Sequence, residues 1–186
     1  ELNGITADIA RDVAGSGAQQ AVFKEHLLQT SEAGYKESGG VLHSQLAVRD
    51  TVTGDSKTNG ALSRVIDATD DGARAAALST LSAPDRATLH STVDATFDGS
   101  GKVGLDKVGA MDGNSRKTVI ASKREQVETI LNSYTHGTIS AGDATRELAR
   151  HRADMLTLAQ ASTDAKSSAG ATEASAALET IDNSIA

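Results

Sequence analysis

Apolar side chains recur every three or four residues along most of the chain, the spacing that places them on one face of an α-helix. Ile5, Ile9 and Val13 follow this spacing near the start, and Leu62 and Val65 follow it farther along. Alternating apolar and polar positions, which are typical of strands, are scarce. The pattern therefore predicts an all-α fold, a multi-helix bundle of about six to eight helices of moderate length.

Three of these helices are predicted in the second half of the chain. Ser82, Pro84 and Asp85 are typical of a helix start, because Pro is tolerated in the first turn and an acidic residue suits the positive end of the helix dipole. The helix that follows is expected to bury Leu89 and Val93. The next two helices are expected over about 115–132 and about 141–161.

The end of the chain carries a separate amphipathic stripe. The segment 162–172 is polar and rich in small residues, which predicts a linker or a frayed helix end. Beyond it, apolar residues fall on one face of a terminal helix: Ala174, Leu178, Ile181 and Ile185. This stripe either closes the chain's own bundle, which we favour, or lies in a groove of another chain. We accordingly divide the chain into an N-terminal helical region (1–82), a helix-loop-helix pair (83–161) and the linker with its terminal helix (162–186).

Composition narrows the class of partner and the kind of chemistry. The 186 residues include 25 acidic and 18 basic side chains, a net charge of −7, which disfavours nucleic acid and anionic membranes as partners. Aromatic residues make up 2% and Cys is absent, which makes base-stacking surfaces improbable and excludes disulfides, thiolate metal sites and a Cys nucleophile. No apolar run approaches the ~18 residues of a membrane span. Nothing in the sequence decides between a secreted and a cytoplasmic location.

Two segments share an arrangement of glycine and aliphatic residues between helices. They read Gly-Lys-Val-Gly at 101–104 and Gly-Thr-Ile-Ser at 137–140, and their first glycines are 36 residues apart. A glycine followed two residues later by an aliphatic side chain resembles the loop of the EF-hand family, over about 83–160. The resemblance implies a pair of hands whose loops bond backbone to backbone through Val103 and Ile139. The alternative is that glycine turns join helices in any Ala-rich bundle and that the spacing is coincidental.

The resemblance also implies a set of calcium ligands, at loop positions 1, 3, 5, 7, 9 and 12. In the second loop these positions are Asn132, Tyr134, His136, the Thr138 carbonyl, Ser140 and Asp143. In the first loop they are Thr96, Asp98, Ser100, the Lys102 carbonyl, Gly104 and Lys107. Each set has a single carboxylate, which does not balance a divalent cation, so we expect no cofactor, with weak calcium binding as the alternative. Lys107 takes the place of the usual carboxylate, and we expect its ammonium to substitute for the ion. A third candidate, over 55–66, is interpreted as an ordinary loop.

No set of nucleophile, base and orienting group emerges, so we expect the protein not to be an enzyme. The five histidines show no paired metal spacing, and His151 is expected on a solvated, charged helix face, because Glu147, Arg150 and Asp154 are spaced for ion pairs along one helix. The Gly-x-Gly-x-x-Gly at 99–104 follows a helical pattern, whereas a dinucleotide-binding turn follows a strand.

A fainter resemblance concerns secreted bacterial toxin domains that activate GTP hydrolysis by Rho-type GTPases. The residues that carry it are Ala-Val-Phe-Lys-Glu at 21–25 and Asn-Gly-Ala-Leu-Ser-Arg at 59–64. Ser63 stands where those domains have a catalytic arginine and Arg64 comes one residue late, a rotation of ~100° on a helix. We therefore expect a non-enzymatic helical interaction or scaffold module that binds another protein through amphipathic helices, with a composition that suits a secreted bacterial protein. The alternatives are a weak calcium-binding protein and a bacterial effector that acts on a host small GTPase.

Overall fold

The computed structural model describes residues 40–43, 45–46, 55–97, 108–109, 111–164 and 168–185. Within these residues no strand occurs, which confirms the all-α, multi-helix bundle. Six helices have defined bounds: α1 Ser56–Ile66, α2 Asp71–Ser79, α3 Ala83–Phe97, α4 Gly113–Thr135, α5 Ala141–Asp164 and α6 Ser168–Ile185. Among the described helices, none combines the length and the apolar character that crossing a membrane requires.

A side-chain cap precedes each of the first five helices and explains where it begins. The carboxylates of Asp55, Asp70 and Asp112 accept hydrogen bonds from backbone N–H groups three residues later, at 3.1, 2.8 and 2.7 Å. The hydroxyls of Ser82 and Ser140 do the same for α3 and α5, at 3.2 and 3.1 Å. Such caps satisfy N–H groups that have no partner inside the helix. The predicted start of the helix at Ser82 is therefore confirmed.

The segment predicted to be a linker is mostly helical instead. Helix α5 continues to Asp164 and α6 begins at Ser168, so the alternative of a linker is wrong for the described residues of this segment, whereas that of a frayed helix end stays a prediction. Alanines at the meeting faces of the two helices explain the difference, because Ala161, Ala174 and Ala177 are buried and let the backbones approach. Arg152 of α5 pairs with Asp182 of α6, thirty residues later, so the two helices run antiparallel to each other.

One hydrophobic cluster joins all three regions into which the sequence was divided. It includes Leu62 from the first region, Leu89 and Leu158 from the second, and Ile181 from the last, each at most 3% exposed. The face of α6 with Ala174 and Ile181 is buried and Leu178 is partly buried, so the terminal stripe packs on this chain's own bundle. The core is aliphatic, as the composition requires. The three domain boundaries stay a prediction.

Glycine at position 40 permits a close approach to the start of α4. Gly40 has a φ of +113°, and a Cβ built there would lie 2.0 Å from Oδ2 of the capping residue Asp112. Val41 and Leu42, which follow it in a helical segment, are fully buried. A side chain at position 40 would therefore displace both the α4 cap and the neighbouring core.

Candidate functional site

A buried ammonium joins three helices at the centre of the bundle. Lys123 on α4 is 1% exposed, and its Nζ lies 2.7 Å from Oδ1 of Asp94 on α3. The same Nζ lies 2.5 Å from Oδ2 of Asp154 and 3.3 Å from Nδ1 of His151, both on α5. An ammonium has three N–H donors, and these three acceptors match that number. We call Asp94, Lys123, His151 and Asp154 the buried lysine cluster.

Further side chains support the cluster from its edges. Arg150 donates to Oδ2 of Asp94 at 3.0 Å, and Gln126 donates to Oδ1 of Asp94 at 3.3 Å. The ammonium also lies 5.1 Å from the centre of the Phe97 ring, within the range of a cation–π interaction. Arg150 and Lys123 therefore balance the charges of the two carboxylates, which is the condition for burying charge at a tolerable cost.

Burial and neighbouring charges shift the pKa values of Asp94, His151 and Asp154 in different directions. Burial raises the pKa of Asp154, and the hydrogen bond from Lys123 offsets only part of that rise. Burial also acts to raise the pKa of Asp94, but hydrogen bonding and the charge of Lys123 outweigh it and leave the pKa below its ordinary value. Burial, together with the charges of Lys123 and Arg150, lowers the pKa of His151 to about 4. The imidazole is thus neutral at pH 7 and accepts at Nδ1, which places its proton on Nε2.

The same acceptors have the chemistry of a metal site. Asp94, His151 and Asp154 each offer one ligand atom, and these atoms lie within 4.8 Å of one another. Two carboxylates and an imidazole suit a divalent cation such as Zn²⁺. In this chain Nζ of Lys123 is within hydrogen-bond distance of all three, so an internal ammonium occupies the position that such a cation would take.

His151 therefore has a different place from the one expected. The sequence predicted it on a solvated face, but its side chain is 1% exposed, so that prediction is wrong. Arg150 does approach Glu147, with 3.8 Å between Nε and Oε2, whereas Asp154 pairs with Lys123 rather than with Arg150. The pattern of α4 carried a signal for the buried lysine, because Lys123 stands midway between two buried valines four residues away on either side.

The residues predicted as calcium ligands lie at the junction of α4 and α5. Asn132 and Tyr134 belong to the last turns of α4, and Tyr134 is 50% exposed. Gly137 has a φ of +69° and donates to the Tyr134 carbonyl, while Thr138 donates from its backbone to the Ser133 carbonyl, both at 2.9 Å. These two bonds form a Schellman motif, which requires a residue in the left-handed region for reasons unrelated to metal.

The remaining predicted ligands of that junction are engaged in helix capping. Nδ1 of His136 lies 2.7 Å from the Asn132 carbonyl. Ser140 donates to Asp143 at 2.8 Å, and Arg146 also pairs with that carboxylate. These hydrogen bonds, that of Ser140 foremost, lower the pKa of Asp143. Calcium binding at this junction stays a prediction, and any ion there would compete with the cap of α5.

Two other loop predictions have different outcomes. The first EF-hand-like loop falls mainly on residues 98–107, which lie outside the described residues, and with it Lys107 and the pairing of Val103 with Ile139. Thr96, its first predicted ligand, is buried in α3 and donates to the Thr92 carbonyl at 3.3 Å.

The interpretation of 55–66 as an ordinary loop is wrong, because Asp55 caps α1 and the helix occupies the rest. That helix also places Ser63 and Arg64 in its last turn.

An open groove of about 310 Å³ lies between α2 and α4. Its lining residues are Asp71, Arg74, Ala75 and Leu78 from α2, and Lys117, Ile120, Ala121, Arg124, Glu125 and Glu128 from α4. The wall is held in place by Arg74, which is 1% exposed and donates to the Ala68 carbonyl at 2.6 Å and to Thr118 at 3.3 Å. Leu78, Ile120 and the two alanines give the groove an apolar floor. We call it the α2–α4 groove.

The charges at the rim of this groove fall into two kinds. Asp71 pairs with Arg74 at 3.2 Å, and Glu125 pairs with Arg86 at 2.8 Å. In contrast, Lys117, Arg124 and Glu128 take part in no ion pair within the part of the chain that the structure describes. The groove thus combines apolar surface with charges that are available to a binding partner.

Comparison with protein-family models, with curated proteins and with solved structures finds no match to this chain.

Proposed function

We propose that this protein is a non-enzymatic helical interaction module and that its partner docks in the α2–α4 groove. The observation that carries the proposal is the groove itself, which has an apolar floor and three rim residues, Lys117, Arg124 and Glu128, that form no ion pair with a described residue. Apolar surface between packed helices is costly to leave in water, and a partner that covers it gains free energy roughly in proportion to the area buried.

The buried lysine cluster supports a structural rather than a catalytic role for the most perturbed ionisable groups. Its ammonium directs its donors to Asp94, His151 and Asp154, so none is left for a substrate. Its imidazole is 1% exposed and has a pKa of about 4. A general base works best with a pKa near the operating pH and within hydrogen-bond reach of the substrate, and His151 meets neither condition.

The α2–α4 groove, unlike the cluster, is open to solvent, and hydrogen bonds connect its two walls. Arg74 ties α2 to the preceding segment through the Ala68 carbonyl and to α4 through Thr118. Arg86 donates to the Leu78 carbonyl at the end of α2, at 3.0 Å, and to Glu125 of α4. A preformed groove binds its partner without first ordering its own side chains, which favours affinity.

Selection from a library of displayed helical peptides tests this proposal. The peptides are panned on the wild-type chain and counted again on Ala121→Trp, in which a large ring fills the groove floor. The matched control is Ala176→Trp, which changes an exposed alanine on α6, away from the groove. Amphipathic sequences that bind the wild type and the control but lose binding to Ala121→Trp support the proposal. Recovery only of peptides that bind all three chains equally, or of none, contradicts it.

A further inference from the structure

We infer that the partner of the α2–α4 groove is an acidic amphipathic helix, with two carboxylates two turns apart on the edge that faces α4. This inference rests on the proposed function and adds the chemical class of the partner. Three features of the groove favour this class of partner: its shape, the positions of its two available cations and the ion pairs that its other charges already make.

The shape of the groove fits a helix. Both walls present residues at the same helical intervals: 71, 74, 75 and 78 on α2, and 117, 120, 121 and 124 on α4. Positions i, i+3, i+4 and i+7 form one face of a helix, and two such faces leave between them a channel that a third helix fills. At 1.5 Å per residue, the stretch of α4 from Lys117 to Glu128 is about 16 Å long, or three turns of an occupant.

The floor of the groove allows the occupant to come close. Ala75 and Ala121 are the small residues on the facing walls, and Leu78 and Ile120 lie below them at 8% and 5% exposed. Small side chains at a helix–helix contact reduce the distance between the axes. Large apolar residues on the occupant, three or four positions apart, would cover this floor.

The two basic side chains of the rim that form no ion pair with a described residue favour a partner helix with an acidic edge. Lys117 and Arg124 are seven residues apart on the same face of α4, about 10 Å along its axis. Neither forms an ion pair with a described residue, although the chain as a whole has a net charge of −7. Carboxylates at i and i+7 of an adjacent helix have the same spacing and reach both cations. The acidic groups Asp71 and Glu125 do not repel such a partner strongly, because cations already neutralise them.

Glu128 carries the charge opposite to that of Lys117 and Arg124, so its neutralisation should have the opposite effect on binding. It lies one turn beyond Arg124, lines the same groove and is exposed. A carboxylate on the partner near this position would be repelled, so neutralising Glu128 should leave the binding of an acidic helix unchanged or make it tighter. Neutralising Lys117 or Arg124 should do the reverse.

Binding of designed peptides measures these effects. The probe is a synthetic 15-residue amphipathic helix with Glu at two positions seven apart and Leu and Ala on the face between them. The comparison peptides carry Gln or Lys at the same two positions, and dissociation constants are measured by calorimetry at low and high salt. An exposed ion pair contributes about 1.4-fold to 5-fold in affinity, so the double variant Lys117→Glu/Arg124→Glu should weaken the Glu peptide about tenfold or more. The Lys peptide should prefer that double variant, and Glu128→Gln should not weaken the Glu peptide.

The outcomes separate this inference from the proposed function. If the Gln peptide binds as tightly as the Glu peptide, is insensitive to the charge reversal and still loses binding to Ala121→Trp, the groove is a docking site but its partner is not acidic, which overturns the inference alone. If sedimentation shows a dimer of the chain that Ala121→Trp dissociates, the occupant is a second copy, which also overturns it. If no peptide distinguishes the wild type from Ala121→Trp, the proposed function fails as well.

Discussion

Replacing Lys123 by Met isolates the contribution of the buried ammonium, because Met keeps most of the apolar stem and removes the charge. The change leaves Asp94 and Asp154 facing each other without the cation between them. Asp94 keeps Arg150 and Gln126 as partners, whereas Asp154 loses the ammonium that lies 2.5 Å away. Removing one partner of a buried ion pair costs about 3–5 kcal/mol. The two carboxylates are 23% and 17% exposed, so we expect a loss near the lower end, about 3 kcal/mol.

The loss should also depend on pH in a defined direction. Without Lys123, burial and mutual repulsion raise the folded-state pKa of both carboxyl groups above the unfolded value, so the charged forms oppose folding at neutral pH. As the pH falls through these raised pKa values, the groups take up protons and the penalty disappears. The difference between wild type and Lys123→Met should therefore be largest at pH 7–8 and should shrink towards pH 4.

Urea unfolding of both chains across this pH range measures the effect. Arg152→Met is the matched control, because Arg152 also pairs with an aspartate, at 2.5 Å from Asp182, but both partners lie at the surface, 42% and 47% exposed. Adding Asp94→Asn and Asp154→Asn to Lys123→Met should restore most of the stability, since no buried charge is then left alone. A loss no larger than that of Arg152→Met, or one that does not change with pH, would refute the assignment of a structural role to this ammonium.

Three further predictions concern other parts of the structure. The pKa of His151 is lowered to about 4 from 6.5, so the imidazole binds a proton more readily in the unfolded chain than in the folded one. The free energy of unfolding should therefore fall between pH 6.5 and pH 4 by on the order of 3 kcal/mol. In a pH series of urea melts, His151→Gln should flatten that slope. Lys123→Ala should gain a site for Zn²⁺, seen as a rise in melting temperature with added Zn²⁺ that the wild type does not show; equal shifts in both chains would contradict it. Gly137→Ala, at a φ of +69°, should lower the free energy of unfolding by about 1 kcal/mol. Gly60→Ala, in an exposed turn of α1 with open space around it, should raise it by about 0.5–1 kcal/mol. Effects of the same sign would disprove the Schellman assignment.

Local signals account for the parts of the fold that were predicted correctly. Ser82, Pro84 and Asp85 mark a helix start within the chain's own sequence, and α3 begins there as Ala83–Phe97. Apolar periodicity likewise placed α4 and α5, which are only a few residues longer than expected at their ends. Caps and periodicity depend on residues three or four apart, so the sequence carries them directly.

Tertiary packing decides the parts that the sequence did not reveal. Small, polar residues over 162–172 have no strong preference of their own, and the contact between α5 and α6 makes most of them helical. The burial of His151 depends on Asp94 and Lys123, which come from two other helices. The α2–α4 groove likewise forms from two sets of residues that lie at least 39 positions apart, and no local pattern shows that two helix faces meet.

The sequence led to the hypothesis that a lysine replaces a metal ion in this protein, and the structure contains such a lysine at a different place. Lys107 lies outside the described residues, but Lys123 joins α3, α4 and α5 through two carboxylates and an imidazole, as a divalent cation would. An internal cation differs from a bound ion in one thermodynamic respect: it cannot dissociate, so its contribution to stability does not depend on the concentration of any ligand. The contribution of this cluster to the stability of the bundle therefore needs no metal ion. In the proposed interaction module, the cluster would hold α4, one wall of the α2–α4 groove, without an ion. The rim residues Lys117, Arg124 and Glu128 would then set the affinity for a partner.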